Sequence, residues 1–250
     1  MTNKFKYFIA NWKMYGDVNS IKSINRVLKF VNLNKKKKFK IIYCPPYTLL
    51  HPFSKILKNT KVDLGAQNCH TELEYGAFTG GINSKMIKNL GAKYIIIGHS
   101  ENRAAGDTDS VINKKIYSAL KSNLSVIFCI GETLSQKRKK LTNTILKSQI
   151  INGLRNLKTN KKIILAYEPV WSIGSGLIPK NSELLKNILF IKKILKKISM
   201  LKNTKILYGG SVNPKNIKVL NNIDELDGYL IGGASQNSKK LIDIVKKTFN

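Results

Sequence analysis

Short apolar runs alternate along this chain with longer segments whose apolar residues recur at helical spacing. The runs are rich in isoleucine, valine and aromatic residues, as strands are, and lie at residues 5–12, 39–44, 62–66, 93–98, 124–130, 162–167, 205–208 and 228–231. Each run precedes a segment with the 3.6-residue period of an amphipathic helix. The pattern predicts eight strands that alternate with helices, an α/β organisation.

The helical period is clearest in three segments, which are 182–200, 18–31 and the last turns of the chain. Their predicted core-facing positions are Leu184, Ile188, Ile191, Leu195 and Ile198; Val18, Ile21, Ile24, Leu28 and Val31; and Leu241, Val245 and Phe249. Such an apolar stripe packs a helix against a core, so these positions are assigned to packing alone.

The alternation of strands and helices implies parallel strands joined by right-handed crossovers. Two architectures fit, a closed barrel and an open doubly wound sheet. Open sheets that bind dinucleotides usually carry G-x-G-x-x-G after the first strand, whereas here the first strand ends in Asn11-Trp12-Lys13. No G-x-x-x-x-G-K-[ST] run occurs either, and the 250 residues of the chain match the ~250 of a typical barrel. We therefore expect a single (β/α)8 barrel domain over residues 1–250.

The formal net charge of +30 has two interpretations. It could mark a protein that binds nucleic acid or another anionic surface, or it could reflect a composition that favours lysine. Lysine outnumbers arginine by 40 to 4, although arginine is the residue that best recognises phosphates and base edges. The basic runs 35–38 and 137–140 also lack the interleaved aromatic residues that stack on bases. We therefore favour drift of composition and expect no nucleic-acid partner.

Other bulk features exclude several classes of protein. The three cysteines, Cys44, Cys69 and Cys129, form no disulfide framework, and no spacing suggests a metal site, so we expect no metal. No segment approaches the ~20 consecutive apolar residues of a membrane span. The first residues also lack the apolar core of a signal peptide. We expect a soluble, cytoplasmic protein with no membrane partner.

Polar and glycine residues follow several of the predicted strands. In a barrel these strand ends meet at one rim, where active sites lie. The residues concerned are Asn11 and Lys13 after the first strand, His99 after the fourth, Glu168 after the sixth, Ser211 after the seventh, and Gly232 and Gly233 after the eighth. Glycine turns let backbone N–H groups approach an anion, and barrels often bind phosphate at their last two loops. The last two turns therefore predict a phosphate site, although a Gly-Gly pair can also be only a tight turn.

Glu168 stands at the end of an apolar strand and immediately before Pro169, which cannot continue a central strand. A loop with Trp171, Gly174 and Gly176 follows and could act as a lid. A lone carboxylate in this position suits a base that abstracts a proton. A strand-end glutamate that only faces water fits this segment equally well.

Four segments, in order along the chain, resemble signatures of the triosephosphate isomerase family. They are Asn11-Trp12-Lys13, the run IIIGHSE at 95–101, the run AYEPVW at 166–171 with the glycine-containing loop after it, and YGGS at 208–211. The resemblance extends from the first strand to the last and implies a TIM barrel. It also implies an intramolecular oxidoreductase that interconverts dihydroxyacetone phosphate and D-glyceraldehyde 3-phosphate through an enediolate, in glycolysis and gluconeogenesis, without a cofactor.

The resemblance implies roles for the residues at the rim. Glu168 would be the catalytic base, His99 the neutral donor to the substrate carbonyl, Lys13 the electrostatic clamp and Asn11 a polar orienting residue. Triosephosphate isomerases are the standard example of a histidine held neutral by a helix N-terminus. Asn11, Lys13, Gly174, Ser211, Gly232 and Gly233 would bind substrate, with Glu101 and Tyr208 behind them.

Residues 170–176 resemble the family's lid, and Tyr208 resembles the residue that latches the lid when it is closed. The chain departs from the family just beyond, at Leu177-Ile178-Pro179. Proline restricts its own φ and the conformation of the residue before it. We therefore predict a stiffer C-terminal hinge than is usual in the family.

The long loop 69–81 resembles the family loop that inserts beside a partner's active site, so a homodimer is implied, with Thr79 near that site. An ordinary surface loop is the alternative. The family's usual acid and base at two facing positions are replaced here by Gly81 and Asn102. Loss of only the acid or only the base would leave the other charge unpaired at the interface. The replacement of both residues is therefore consistent with a dimer that has lost this ion pair. We predict a dimer that dissociates more easily.

Two further functions are compatible with the composition and fold. One is a basic nucleic-acid-binding barrel with relic catalytic motifs, which binding at moderate salt would reveal. The other is a different barrel enzyme acting on phosphate sugars, against which the lid sequence and the set of Lys13, His99 and Glu168 argue.

Overall fold

Eight parallel strands close into a barrel in which each strand pairs with the next along the chain and β8 pairs with β1. The protein is described here by a computed structural model that covers residues 4–157, 163–198 and 201–249. The strands are β1 Lys6–Asn11, β2 Phe39–Cys44, β3 Asp63–Ala66, β4 Tyr94–Ile97, β5 Ser125–Ile130, β6 Ile163–Tyr167, β7 Lys205–Tyr208 and β8 Gly228–Ile231. All eight lie within the predicted runs, and residue 162, predicted to begin the sixth strand, lies outside the described residues. The predicted closed barrel is confirmed.

Helices surround the barrel and connect successive strands. In the described ranges they are α1 Ile24–Leu33, α2 Tyr47–Leu57, α3 Ser84–Asn89, α4 Ser100–Ala104, α5 Asp109–Lys121, α6 Leu134–Arg138, α7 Thr142–Gly153, α8 Asn181–Lys197, α9 Ile217–Asn221 and α10 Ser238–Phe249. Short 3₁₀ turns cover Asn19–Ser23, Val170–Ser172 and Gly233–Gln236. Two helices follow each of β4 and β5, one more than the sequence pattern predicts at each place.

The predicted helix stripes hold for two of the three segments. Leu184, Ile188 and Leu195 are buried in α8, and Leu241 and Val245 are buried in α10; residues 199 and 200, predicted to end the former helix, lie outside the described part. The prediction for 18–31 is wrong at its start, because Val18 is 68 % exposed. The chain enters this helix through a 3₁₀ turn, so Val18 precedes the regular face.

The core has two layers because side chains alternate between the two faces of each strand. Inside the barrel lie Ile9, Ile42, Cys44, Ile96, Ile127, Cys129, Ile164, Ala166, Leu207 and Leu230. Their neighbours, such as Phe8 and Ala10 on β1, belong to the larger cluster between strands and helices. A packed interior of this kind leaves only the ends of the barrel open for chemistry.

Two features of the described residues bear on other functions. None of their helices combines the length and apolar character needed to cross a membrane. Within the same residues, no group of three or more His, Cys, Asp or Glu side chains is arranged to hold a metal ion.

Candidate active site

The C-terminal ends of the strands surround a cavity of about 830 Å³. Seven residues singled out in the sequence line it: Asn11, Lys13, His99, Gly174, Ser211, Gly232 and Gly233. The other three, Glu168, Glu101 and Tyr208, do not line it but contact its wall. Barrel closure therefore brings together residues that are far apart along the chain.

Glu168 follows β6 directly, and its side chain is buried. Its Oε1 accepts a hydrogen bond of 2.7 Å from the backbone N–H of Ser100, while its Oε2 is buried with no hydrogen-bond partner. Burial raises the pKa of the Glu168 carboxyl to about 8, against the opposing effects of the Ser100 N–H and the Lys13 charge. The alternative interpretation, in which Glu168 only faces water at the end of its strand, is therefore wrong, because its carboxyl is desolvated.

His99 precedes α4 and caps it, since its Nδ1 accepts a hydrogen bond of 3.3 Å from the backbone N–H of Glu101. An Nδ1 that accepts carries no proton, so the ring hydrogen is on Nε2. Nε2 lies 3.4 Å from Glu168 Oε2. Burial lowers the pKa of His99 to about 4, so the imidazole is neutral near pH 7 and acts as a hydrogen-bond donor through Nε2. The 3.6 Å approach of Nδ1 to Glu101 Oε2 is therefore not an ion pair.

Lys13 and Asn11 enter the cavity from β1. The Asn11 side chain accepts a hydrogen bond of 3.0 Å from the Lys13 N–H, and Lys13 has the left-handed φ of 55°. This turn carries the Lys13 ammonium to 2.5 Å from Glu101 Oε1. A Cβ on Gly232 would be 3.4 Å from Lys13 Cε, so the lysine stem also lies beside the turn after β8.

The turns after β7 and β8 form the far wall of the cavity. The Trp12 indole N–H donates 3.2 Å to the carbonyl of Ser235, and the Ser235 hydroxyl donates 2.7 Å to the carbonyl of Gly232. A methyl group on Gly233 would meet nothing within 4 Å, so its backbone is open to the cavity. Glycine backbone at this position can donate N–H groups to an anion.

The lid segment leaves β6 through Pro169 and the 3₁₀ turn Val170–Ser172. The Trp171 indole N–H donates 3.0 Å to Glu132, which is buried after β5 and also accepts from the Tyr167 hydroxyl. The Lys137 ammonium lies 3.7 Å from the centre of the Trp171 ring. The tip of the lid, residues 174–176, is exposed, whereas its N-terminal end is held.

Several residues at the site were missed in the sequence. Ser100, Gln67, Glu132 and Ser172 make its supporting hydrogen bonds, and Tyr15, Gly209, Gly210, Asn213, Lys215, Gln236 and Lys240 line its cavity. Gln67 illustrates the difficulty, because its amide donates 2.8 Å to the carbonyls of both Lys13 and Cys44. Glu132 had a visible signal, since it is a carboxylate just after an apolar strand, as Glu168 is, and Ser100, Gly209 and Gly210 lie inside the quoted runs 95–101 and 208–211.

The arrangement combines a desolvated carboxyl, a neutral imidazole donor, an ammonium group and open glycine backbone around one cavity. A carboxylate and a neutral donor on opposite sides of a carbonyl compound can move a proton between adjacent carbons. The ammonium and the glycine turns suit an anionic group on the same small substrate.

Comparison with known proteins gives consistent matches. A family model described as triosephosphate isomerase matches residues 6–248. The triosephosphate isomerase of Thermodesulfovibrio yellowstonii is 40 % identical over 245 residues, which cover 96 % of this chain and 98 % of the relative. That of Dictyoglomus thermophilum is 41 % identical over 248 residues, with coverage of 96 % and 98 %. The solved structure of triosephosphate isomerase from Bartonella henselae superposes with a TM-score of 0.89 at 30 % identity, covering 98 % of this chain and 99 % of that one.

Proposed function

This chain belongs to the triosephosphate isomerase family, and we propose that Glu168, His99, Lys13 and Asn11 carry its catalysis. As an isomerase of this family it interconverts dihydroxyacetone phosphate and D-glyceraldehyde 3-phosphate, a step of glycolysis. One observation carries the assignment of the catalytic groups: the 3.4 Å approach of His99 Nε2 to the unpaired Glu168 Oε2, beside the cavity that Lys13 lines.

Glu168 acts as the base. Its carboxylate takes a proton from one carbon of the bound triose, and the carboxylic acid so formed returns a proton to the neighbouring carbon. The hydroxyl proton moves from one oxygen of the enediolate to the other, so the ketose and the aldose interconvert without gain or loss of atoms. A base whose pKa lies near the working pH combines a useful ionised fraction with a strong pull on the proton; the Glu168 pKa of about 8 meets this condition. Because Glu168 does not line the cavity, its side chain must rotate away from the Ser100 N–H to reach the substrate.

His99 and Lys13 stabilise the negative charge that develops on the substrate oxygens. The Nε2–H of His99 donates to the oxygen of the carbonyl, and a neutral donor matches the proton affinity of an enediolate better than a cation would. The Lys13 ammonium adds an opposite charge in a partly desolvated site, where it is worth more than in water. Asn11 orients Lys13 through the bond to its N–H, and Glu101 holds the ammonium on the cavity side.

The substrate phosphate binds at the backbone of Ser211, Gly232 and Gly233, with Gly174 added when the lid closes. All four residues line the same cavity. Closure excludes water from the enediolate, which prevents loss of its phosphate. Triosephosphate isomerases are the usual example of such a gating loop, and Tyr208 is assigned here to holding the closed lid.

We also propose a homodimer that forms through loop 69–81. The base of this loop is closed by the bond of 2.8 Å from His70 N–H to the carbonyl of Ile82, and the rings of His70 and Phe78 pack 4.6 Å apart. Tyr75 is nevertheless 65 % exposed at the tip, and Met14 on the loop after β1 is 93 % exposed. Ordered loops with exposed apolar tips suit burial against a second copy of the chain, which would bring Thr79 toward the partner's site. A cytoplasmic location is proposed from the glycolytic reaction.

The test is a coupled isomerase assay on the wild type, Glu168→Ala and the control Asp243→Ala, which removes a partly exposed carboxylate on α10 that pairs only with Lys247 among the described residues. We expect wild-type turnover of both trioses and a loss of about 10²- to 10⁴-fold in kcat for Glu168→Ala. The control should keep wild-type kcat. An inactive wild type would defeat the proposed function, and unchanged turnover in Glu168→Ala would defeat only the assignment of the base.

A further inference from the structure

The hydroxyl of Ser172 joins both ends of the lid to the wall of the cavity. Ser172 is buried, and its Oγ lies 2.6 Å from the carbonyl oxygen of Leu177 and 2.8 Å from the hydroxyl of Tyr208. A longer contact of 3.4 Å joins it to the backbone N–H of Ser211. From the 3₁₀ turn at the start of the lid, one side chain thus contacts the C-terminal hinge at Leu177, the end of β7 and the turn after β7.

The direction of each hydrogen bond follows from the chemistry of the groups. A carbonyl can only accept, so the single O–H proton of Ser172 goes to Leu177. The Ser172 oxygen then accepts from the Tyr208 O–H and from the Ser211 N–H. Each of the three donors makes one bond, the Ser172 oxygen accepts two of them, and the Tyr208 hydroxyl proton is committed to Ser172.

Close packing around these groups leaves them little freedom. A Cβ on Gly210 would come within 2.7 Å of Ser172 Oγ and would overlap the Tyr208 hydroxyl. Only a glycine at position 210 lets the backbone after β7 pack against the two hydroxyls, so main-chain atoms limit the movement of Ser172 and Tyr208. The Ser172 side chain therefore cannot move into solvent unless the geometry of the hinge changes.

The bonds are formed while the tip of the lid faces solvent. Gly174 and Ser175 are exposed, and Leu177 is 64 % exposed. Two of the groups engaged by Ser172 are also those that the proposed function assigns to the closed state: Tyr208 to the lid and Ser211 to the phosphate. The Tyr208 hydroxyl and the Ser211 N–H cannot donate their hydrogen bonds to Ser172 and at the same time donate them fully to the closed lid and the phosphate.

We propose that the Ser172 hydroxyl is a clasp that holds the lid open and engages the Ser211 N–H until a phosphate group takes it. Ser172 is a positioning residue, since it acts through Tyr208, Leu177 and Ser211 and touches no reacting atom. The inference rests on the proposed phosphate site and extends it. A ligand that binds the closed lid must first break the clasp, so the clasp lowers the apparent affinity for phosphate compounds.

The experiment measures binding of inorganic phosphate by titration, and KM and kcat for a triose phosphate, in the wild type and Ser172→Ala. Removing the clasp should lower the phosphate Kd and the KM by about two- to tenfold, the factor that the net free energy of one neutral hydrogen bond produces. Ser172→Cys keeps the side-chain volume with weaker hydrogen bonds and should shift both constants the same way, which covers poor folding of the alanine variant. The matched control is Ser175→Ala, whose hydroxyl bonds only to Ser172 O and Leu177 N inside the lid and should change Kd less.

A double-mutant cycle with Tyr208→Phe locates the effect. If the clasp works through Tyr208, the gain from Ser172→Ala shrinks in the Tyr208→Phe background. An unchanged or higher phosphate Kd in Ser172→Ala and Ser172→Cys overturns the clasp. A wild type that binds phosphate but does not isomerise a triose overturns the proposed function instead, and leaves the phosphate titration as a test of the clasp.

Discussion

His99 Nε2 and Glu168 Oε2 face each other at 3.4 Å, each buried and each shifted by that burial toward its neutral form. The pKa of Glu168 is raised to about 8 and that of His99 is lowered to about 4. Between these pH values the Glu168 carboxyl is protonated, and the His99 imidazole is neutral with its single proton on Nε2. The pair therefore carries no buried net charge, which would be costly there, and the carboxylate that acts as the base forms as pH approaches about 8.

The pH dependence of catalysis should follow the ionisation of Glu168. Because its raised pKa leaves the carboxyl largely protonated at pH 6, kcat/KM should rise with pH toward about 8. The substrate phosphate titrates near pH 6, so the two limbs separate in a profile measured from pH 5 to 10. A profile already flat above pH 6.5 would show that burial does not raise this pKa.

Glu168→Gln should lose activity yet gain stability at high pH. The folded-state pKa of Glu168 lies above the ordinary value of 4.5, so ionisation disfavours the folded state as pH rises from about 4.5 through about 8. Glutamine keeps the oxygen that accepts from Ser100 and cannot ionise. The Tm difference between Glu168→Gln and wild type should therefore be larger at pH 9 than at pH 5, with Asp243→Asn on α10 as the control. A difference independent of pH would contradict this.

Gly131→Ala should disturb the catalytic base. A Cβ at Gly131 would overlap the backbone carbonyl of Glu168, because the ends of β5 and β6 approach closely there. Overpacking of this kind costs about 1–3 kcal/mol of stability, and a displacement of about 1 Å can cost about 10²-fold in rate. Thermal unfolding and steady-state kinetics check both effects. Normal kcat in a destabilised variant would mean that Glu168 moves independently of Gly131.

The dimer should be weaker than is usual in the family, because Gly81 and Asn102 replace the acid and the base that would pair across the interface. Restoring it with the double variant Gly81→Glu/Asn102→Arg should lower the dimer Kd by about two- to fivefold if the pair stays partly exposed. Each single variant leaves one charge without a partner and should not tighten the dimer. Sedimentation velocity over a dilution series measures all four proteins. Equal resistance to dilution in the wild type and the double variant would refute the idea.

Pro179→Ala should loosen the C-terminal hinge of the lid. Pro179 is buried, and Ile178 before it packs against the main hydrophobic cluster. Removing the ring frees φ at 179 and the conformation of Ile178, so lid relaxation should be faster. Trp171 lies in the lid, and its fluorescence after a temperature jump reports that relaxation. Identical relaxation rates in the two proteins would remove any role for the proline.

The sequence alone determined the eight strands, their order and the rim to which the chemistry belongs. Strands and helices could be predicted because their periodicities depend on residues that are close in the sequence. The rim could be predicted because a closed parallel barrel has all C-terminal strand ends on one side. The glycine turns after β7 and β8 could be placed at this rim for the same reason. The roles of Glu168, His99 and Lys13 came from resemblance to known motifs and not from periodicity.

Tertiary structure decided what surrounds each of these groups. Glu168 is bonded by the Ser100 N–H, which lies 68 positions away in the chain, and Ser172 meets Tyr208 across 36 positions. No local pattern encodes such contacts, since they exist only after the barrel closes. Burial has the same origin, and it raises the pKa of Glu168 and lowers that of His99. Residue types and spacings therefore specify which groups reach the rim, while chain closure sets their protonation and their partners through desolvation and long-range contact.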